Sequence, residues 1–260
     1  MYTGERILPG SVFNVTYQQS LLAYQFAARL ANDKRVLDVA CGEGYGIKAL
    51  ARDAASVTGV DKDELTIAEA RRRYRQPTVS FIQADLFALP QKLQGQTFDV
   101  VCCFQTIEHV VDHDAFIEVL KAVTVPGGKI IVSTPNKRMF PTFNPYHVHE
   151  VDSAELRSRF EKHFKQVQLY GVHSDKQVRV YRESKQRIGA VIKGLDILRM
   201  RDWLPTPVIQ QIYSFVSLHI IKRLSHFLHR KEVAHITTDN FTITQDNLEE
   251  ALDFIVVATA

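Results

Sequence analysis

The 260-residue sequence predicts an α/β fold built on a doubly wound, mostly parallel sheet. Three observations carry that expectation. Short apolar runs alternate with helical patterns at a spacing that suits strand–helix–strand units. The first run, Val36-Leu37-Asp38-Val39, stops on a turn holding Gly42, Gly44 and Gly46. Acids stand where the second and third runs end, at Asp61 and Asp85, and ligands of such sheets bind at the carboxyl ends of the strands.

Taken in order, residues 1–16 lack periodicity and read as an irregular arm, followed by an amphipathic helix over 17–30. Strand one covers 35–40 and helix A 46–53. Ser56 to Asp61 makes strand two, and helix B covers 63–74, stopping before Pro77. Strand three is 79–83 and strand four 98–104. A helix over 114–124 ends at Pro126-Gly127-Gly128, ahead of strand five at 129–134. A short helix (155–163), a sixth strand (166–172) and a last strand (251–258) complete the core. The implied domains are an arm and helix (1–34), a Rossmann-like core (35–180), a basic helical insertion (181–238) and a final core strand (239–260).

Composition bounds the rest. At 45% hydrophobic and 23% charged, the chain can bury a large core. Three cysteines (Cys41, Cys102, Cys103) make no disulfide framework, which points to a reducing, cytoplasmic setting. No signal peptide or run of about 20 apolar residues is visible. Net charge is +3. Ten Lys and Arg against four acids between Tyr181 and His235 give that segment +6, leaving −3 elsewhere.

At the glycine turn, residues without a Cβ let the backbone take positive φ and approach a ligand. Asp38 lies just before the turn, where its carboxylate can accept loop N–H bonds. Asp61 can accept both ribose hydroxyls of a nucleoside, and Asp85 an adenine amine. The turn is not G-x-G-x-x-G, the spacing that suits a pyrophosphate, and Glu43 would repel phosphate while tolerating a sulfonium. Together these residues describe a site for one adenosine carrying a cationic amino-acid part.

Val36-Leu37-Asp38-Val39-Ala40-Cys41-Gly42-Glu43-Gly44 resembles the first motif of class I S-adenosylmethionine-dependent methyltransferases, and Gly128 to Thr134 resembles their fifth strand. The resemblance covers roughly 30–170 and 245–260. It implies a seven-stranded sheet with an antiparallel C-terminal edge strand, and S-adenosylmethionine as cofactor. The residues expected to hold it are Asp38, Ala40, Cys41, Gly42, Gly44, Asp61, Lys62, Asp85, Leu86 and Gln105. Ala40 replaces a glycine common in the family and is expected only to tighten the turn.

Methyl transfer is an in-line displacement, so the protein mainly orients the nucleophile, and a hydroxyl nucleophile also needs a base or a metal. After strand four comes Gln105-Thr106-Ile107-Glu108-His109, and after strand five Thr134-Pro135-Asn136, then Asn144-Pro145-Tyr146-His147. A helical turn over 105–109 would put Gln105 on one face with Glu108 and His109. With His147 this set suits Mn, Fe or Zn, and Mg less well. It is similar to that of metal-dependent methyltransferases acting on the 3′-terminal ribose of small RNAs, with Gln105 in place of a glutamate. Three readings stay open: Glu108, His109 and His147 as metal ligands; His109 or His147 as a metal-free base beside Glu108; or a structural role.

Thr3-Gly4-Glu5-Arg6, the Ala40–Gly46 turn, Ile107-Glu108-His109 and Ser133-Thr134-Pro135-Asn136 also resemble bacterial glycan-cluster O-methyltransferases. That implies a sugar hydroxyl acceptor on a glycan, nucleotide-sugar or lipid-linked sugar. Rival readings are RNA ribose, a quinone-like phenol, and a non-catalytic cofactor-binding or assembly protein. Apolar residues from Val208 to Leu228 form a wide stripe edged by Lys222, Arg223, His226 and Arg230. It suits packing on the same domain, a homodimer, or a peripheral membrane surface. Trp203 and Tyr213 are too few aromatics for a nucleic-acid stacking platform.

Overall fold

A computed structural model describes residues 14–139, 146–184 and 233–260, together with the isolated positions 205, 208 and 211. Residues 1–13 of the expected N-terminal arm, Asn144-Pro145 and most of the basic insertion lie outside the described residues, while 14–16, expected in the arm, are helical. The chain divides into two compact units. The larger comprises 20–140, 148–173 and 243–260; the smaller comprises 1–19, 141–147 and 174–242.

The larger unit carries most of the sheet. Its parallel strands are β1 (Arg35–Val39), β2 (Ser56–Asp61), β3 (Val79–Gln83), β4 (Phe98–Phe104) and β5 (Thr124–Pro135). Then come β6 (Gln166–Ser174), β7 (Phe241–Thr244) and β8 (Asp253–Thr259). The order is β3-β2-β1-β4-β5-β8-β6-β7, with β8 antiparallel to both β5 and β6. The sheet therefore has one strand beyond the seven expected. The last strand lies between β5 and β6 rather than at an edge. Its sequence explains this, since Asp253 to Ala258 is buried throughout, as an interior strand requires. The short Phe241–Thr244 run sits at the end of the order, where burial is partial.

Helices α1 (Asn14–Ala28), α2 (Ile47–Leu50), α3 (Glu64–Arg73), α4 (Leu89–Lys92), α5 (His113–Ala122) and α6 (Ser153–Glu161) connect or flank these strands. Three of them open on an aspartate whose carboxylate accepts an N–H of the first turn. Asp63 accepts from Thr66 at 2.8 Å, Asp112 from Ala115 at 2.9 Å and Asp152 from Glu155 at 2.9 Å. Each satisfies an amide the helix itself leaves orphaned. Leu37, Val101, Ile117, Ile130, Phe160 and Val256 lie in one buried core between sheet and helices.

In the smaller unit, Asn14 donates to the carbonyls of Val233 and Ile236, both at 2.7 Å, and Arg182 donates to Gln19 at 3.1 Å. Asp175 accepts from the Val178 amide at 2.9 Å, at the start of helical residues 176–184, and from Asn240 at 2.7 Å.

Candidate cofactor and acceptor site

The glycine turn follows β1 and is shaped by its own backbone. The Cys41 amide donates to Val60 at 2.9 Å and its carbonyl accepts from Gly44 at 3.0 Å. Gly42 and Gly44 have φ of +56° and +78°. Ala40 also takes positive φ, +59°, so it does not merely tighten the turn. It places a Cβ in the left-handed region, at about 1–2 kcal/mol of steric strain.

The three glycines differ in what surrounds them. A Cβ on Gly42 would meet nothing within 4 Å, which leaves that face of the turn open. One on Gly44 would press on Tyr74 at 3.0 Å. One on Gly46 would sit 2.2 Å from the ring of Tyr24, although its φ of −83° suits any residue. Gly46 thus makes room for a core aromatic rather than for a ligand. Tyr24 is fully buried, edge-on to Phe104 at 4.7 Å and to Tyr45 at 5.2 Å.

Tyr24 also changes the expected part of Asp38. Asp38 lies within β1, fully buried, and its carboxyl accepts from the Tyr24 hydroxyl at 3.1 Å rather than from loop amides. Burial raises its pKa to about 8 against the opposing bond from Tyr24, and the nearby Asp61 charge adds to the rise. Asp38 is therefore held mostly protonated at neutral pH. Burial likewise pushes the Cys41 thiol well up, and its sulfur lies against Gly59 in the core. Cys41 serves the turn through its backbone.

Asp61 ends β2 and is tied directly to the turn. Its carboxylate accepts from the Gly42 amide at 3.0 Å and from the Asp63 amide at 2.9 Å. The expected neighbours follow. Lys62 is exposed, with its carbonyl accepting from Gln83 at 2.9 Å. Asp85 is exposed and accepts from the Phe87 amide at 2.9 Å, capping the single 3-10 turn Leu86–Ala88. Glu43 in the turn pairs with Arg73 at 3.4 Å. Gly42, Asp61 and Asp85 thus stand at the carboxyl ends of neighbouring parallel strands, an open backbone face flanked by two fixed carboxylates.

Past β4, the 105–109 stretch is not one helical turn. Gln105 takes φ +51° and only Ile107–His109 forms a 3-10 turn, so Gln105 does not share a face with Glu108 and His109. Its side-chain amide instead donates to Asp253 at 3.2 Å and to the Ser133 hydroxyl at 3.3 Å. A non-glycine residue in that conformation persists because its surroundings hold it there.

Glu108 is buried, and its carboxylate accepts from the Thr134 hydroxyl at 3.1 Å. Its carbonyl accepts from the amides of Val148 at 2.8 Å and His149 at 3.2 Å. The loops after β4 and β5 therefore meet at Glu108, as adjacent parallel strands require. His109 is the last residue of the 3-10 turn. His147 belongs to the smaller unit and directly precedes Val148 in the chain. Asn136 is fully buried and donates to the Ala251 carbonyl at 2.7 Å, fastening the turn before β8.

Residues 30–190 match the model of a family described as "Methyltransferase domain". A probable S-adenosylmethionine-dependent methyltransferase of Mycolicibacterium smegmatis is 39% identical over 165 residues, covering 61% of this chain and 63% of that protein. A second, from Mycobacterium tuberculosis, is 34% identical over 212 residues, 79% of this chain and 75% of that one. The ubiquinone biosynthesis O-methyltransferase of Pseudomonas aeruginosa is 37% identical over 106 residues, 40% of this chain and 45% of its own. In fold, the chain resembles a SAM-dependent methyltransferase from Archaeoglobus fulgidus, with TM-score 0.56, 15% identity and 95% and 94% of the two chains covered.

Proposed function

The chain belongs to the S-adenosylmethionine-dependent methyltransferase family, and on that premise we propose that it methylates a hydroxyl oxygen, that of a sugar on a glycan or glycan precursor. The cofactor supplies an electrophilic methyl on its sulfonium. The chain's own residues fit it. Gly42 offers backbone with no side chain in the way. Asp61 presents a carboxylate already oriented by two amides, suited to accept ribose hydroxyls, and Asp85 is suited to an adenine amine.

The observation that carries oxygen as the acceptor is Glu108, a carboxylate buried in the 3-10 turn after β4 and held by Thr134. His109 adjoins it in the same 3-10 turn. In this reading His109 or His147 takes the hydroxyl proton and Glu108 orients the base. The same three residues offer one carboxylate and two imidazoles, a donor set that suits Mn, Fe or Zn, and Mg less well. The Thr134 bond is of the kind that orients a ligating carboxylate. When bound, a divalent ion would supply Lewis acidity toward the acceptor oxygen.

A phenolic acceptor is the second reading, favoured by the ubiquinone biosynthesis O-methyltransferase relative. The basic segment 181–238, mostly outside the described residues, is proposed to select the acceptor, through a twin subunit or a membrane surface. Binding to anionic vesicles in flotation would support the membrane version, and its absence would remove it.

The test is methyl transfer from labelled S-adenosylmethionine to nucleotide sugars and to a dihydroxybenzoate, read by mass, with EDTA or with added Mn²⁺. A methylated sugar supports the first reading and a methylated phenol the second. Activity lost with EDTA and restored by Mn²⁺ supports the metal, whereas EDTA-resistant activity leaves the histidine base. Transfer to neither acceptor class overturns both.

A further inference from the structure

Side-chain contacts lead from α6 to His149, and backbone bonds lead from there to Glu108. The Glu155 Oε1 atom accepts from Arg159 through Nη2 at 2.7 Å and Nε at 3.1 Å, and also lies 2.7 Å from His149 Nε2. Burial would raise the Glu155 carboxyl, but its bonds with Arg159 and His149 outweigh this and hold it below its ordinary value. An ionised Glu155 makes His149 Nε2 the donor in this contact.

His149 is secured on two further sides. Its ring lies edge-on to the buried His113 at 4.9 Å. Burial and the Arg159 charge lower the His113 pKa, which disfavours its charged form. Its backbone amide, with that of Val148, donates to the Glu108 carbonyl. Glu155 itself sits in the first turn of α6, which Asp152 caps. An anchored helix thus grips His149, and the His149 segment grips the backbone of Glu108, the residue proposed to orient the base.

We propose that Arg159, Glu155 and His149 form a positioning relay that fixes Glu108, and with it the 3-10 turn carrying His109, for methyl transfer. The three touch neither cofactor nor acceptor in this proposal; they act through the Glu108 carbonyl. The consequence for rate rests on the methyltransferase reading above, whereas the mechanical link does not. Misplacing a reacting group by about 1 Å lowers turnover up to about 100-fold.

The test compares the full-length parent chain with His149→Ala, His149→Gln and Glu155→Gln, using whichever acceptor the parent methylates. It also measures hydrogen exchange of the Val148 and His149 amides, which needs no activity. In His149→Ala, the Val148 amide is expected to exchange at least tenfold faster. Turnover is expected to fall 10- to 100-fold, with cofactor affinity within twofold of the parent. His149→Gln keeps a donor toward Glu155 and should recover most of both losses.

Unchanged exchange at Val148 would overturn the link. Faster exchange with turnover intact would overturn the positioning role. An equal loss of cofactor affinity would show a general structural lesion and also overturn it. A parent chain that methylates nothing defeats the methyltransferase reading, and the exchange data then decide the link alone. If His149→Ala fails to fold, Glu155→Gln is read by the same criteria.

Discussion

Replacing Gly46 by alanine isolates a packing effect, because the backbone there is already helical, with φ −83° and ψ −18°. Alanine should be welcome in that conformation, by roughly 0.5–1 kcal/mol over glycine. The new Cβ would nonetheless lie 2.2–2.3 Å from three ring carbons of Tyr24, where carbon contacts are ordinarily about 3.5–4.0 Å. Tyr24 has nowhere to retreat. Its ring is buried, wedged edge-on against Phe104 and Tyr45. Overpacking of this kind costs about 1–3 kcal/mol. Moving the phenol from Asp38 leaves a buried carboxyl short of its partner, about 1–3 kcal/mol more. The expected net loss is about 3 kcal/mol, read as a lower urea midpoint at unchanged slope. In a Tyr24→Leu background the same change should cost less than about 1 kcal/mol, since the ring is gone. A loss under 1 kcal/mol in the parent, or an equal loss in both backgrounds, would refute this reasoning.

Three further outcomes follow from the same structure. Asp38 has a folded pKa of about 8, above its ordinary 3.8. Between those values the unfolded chain gives up a proton that the folded chain keeps, so stability falls as pH rises, by about 1.4 kcal/mol per unit. Asp38→Asn should flatten that slope between pH 5 and 8 in thermal melts, and an unchanged slope would count against a buried neutral Asp38. His163, just past α6, bridges Glu118 at 2.6 Å and Asp114 at 3.0 Å on α5. Its burial opposes the charged form, but the bonds to Asp114 and Glu118 win and raise its pKa above 6.5. Its contribution is present below 6.5 and fades as pH rises through the raised value, so His163→Gln should remove that pH dependence; a dependence that persists would assign it elsewhere. Ala40→Gly relieves about 1–2 kcal/mol of left-handed strain against an unfolded-state entropy cost of about 0.4–1 kcal/mol. It should stabilise the chain slightly in urea, and a clear destabilisation would contradict the strain.

The parallel core was legible because each buried strand is a short apolar run. Strands β3 and β4 fall at the expected residues, and β5 extends beyond its expected start. The place of β8 was not, because register and order depend on partners that no local pattern encodes. The Phe241–Thr244 strand was missed because four residues carry too little periodicity. At the site, the glycine turn and Asp61 could be read from spacing. Tyr24 could not, because its partnership with Gly46 and Asp38 joins a helix to a turn some twenty residues away. Gln105 misled because a single positive φ breaks the helical spacing that would have grouped it with Glu108. The relay to Glu108 was hidden for a similar reason, its bonds running between a loop and a helix that share no sequence motif.

Calorimetric titration of S-adenosylmethionine into the parent chain and into Asp61→Ala tests the cradle most directly. The expected result is saturable binding to the parent, weakened at least tenfold in the variant, which stays folded although losing the Asp61 bonds to the Gly42 and Asp63 amides costs about 1–3 kcal/mol in urea. Equal affinity in both proteins, or no binding to the parent, would contradict the placement of the cofactor on the Gly42 turn beside Asp61.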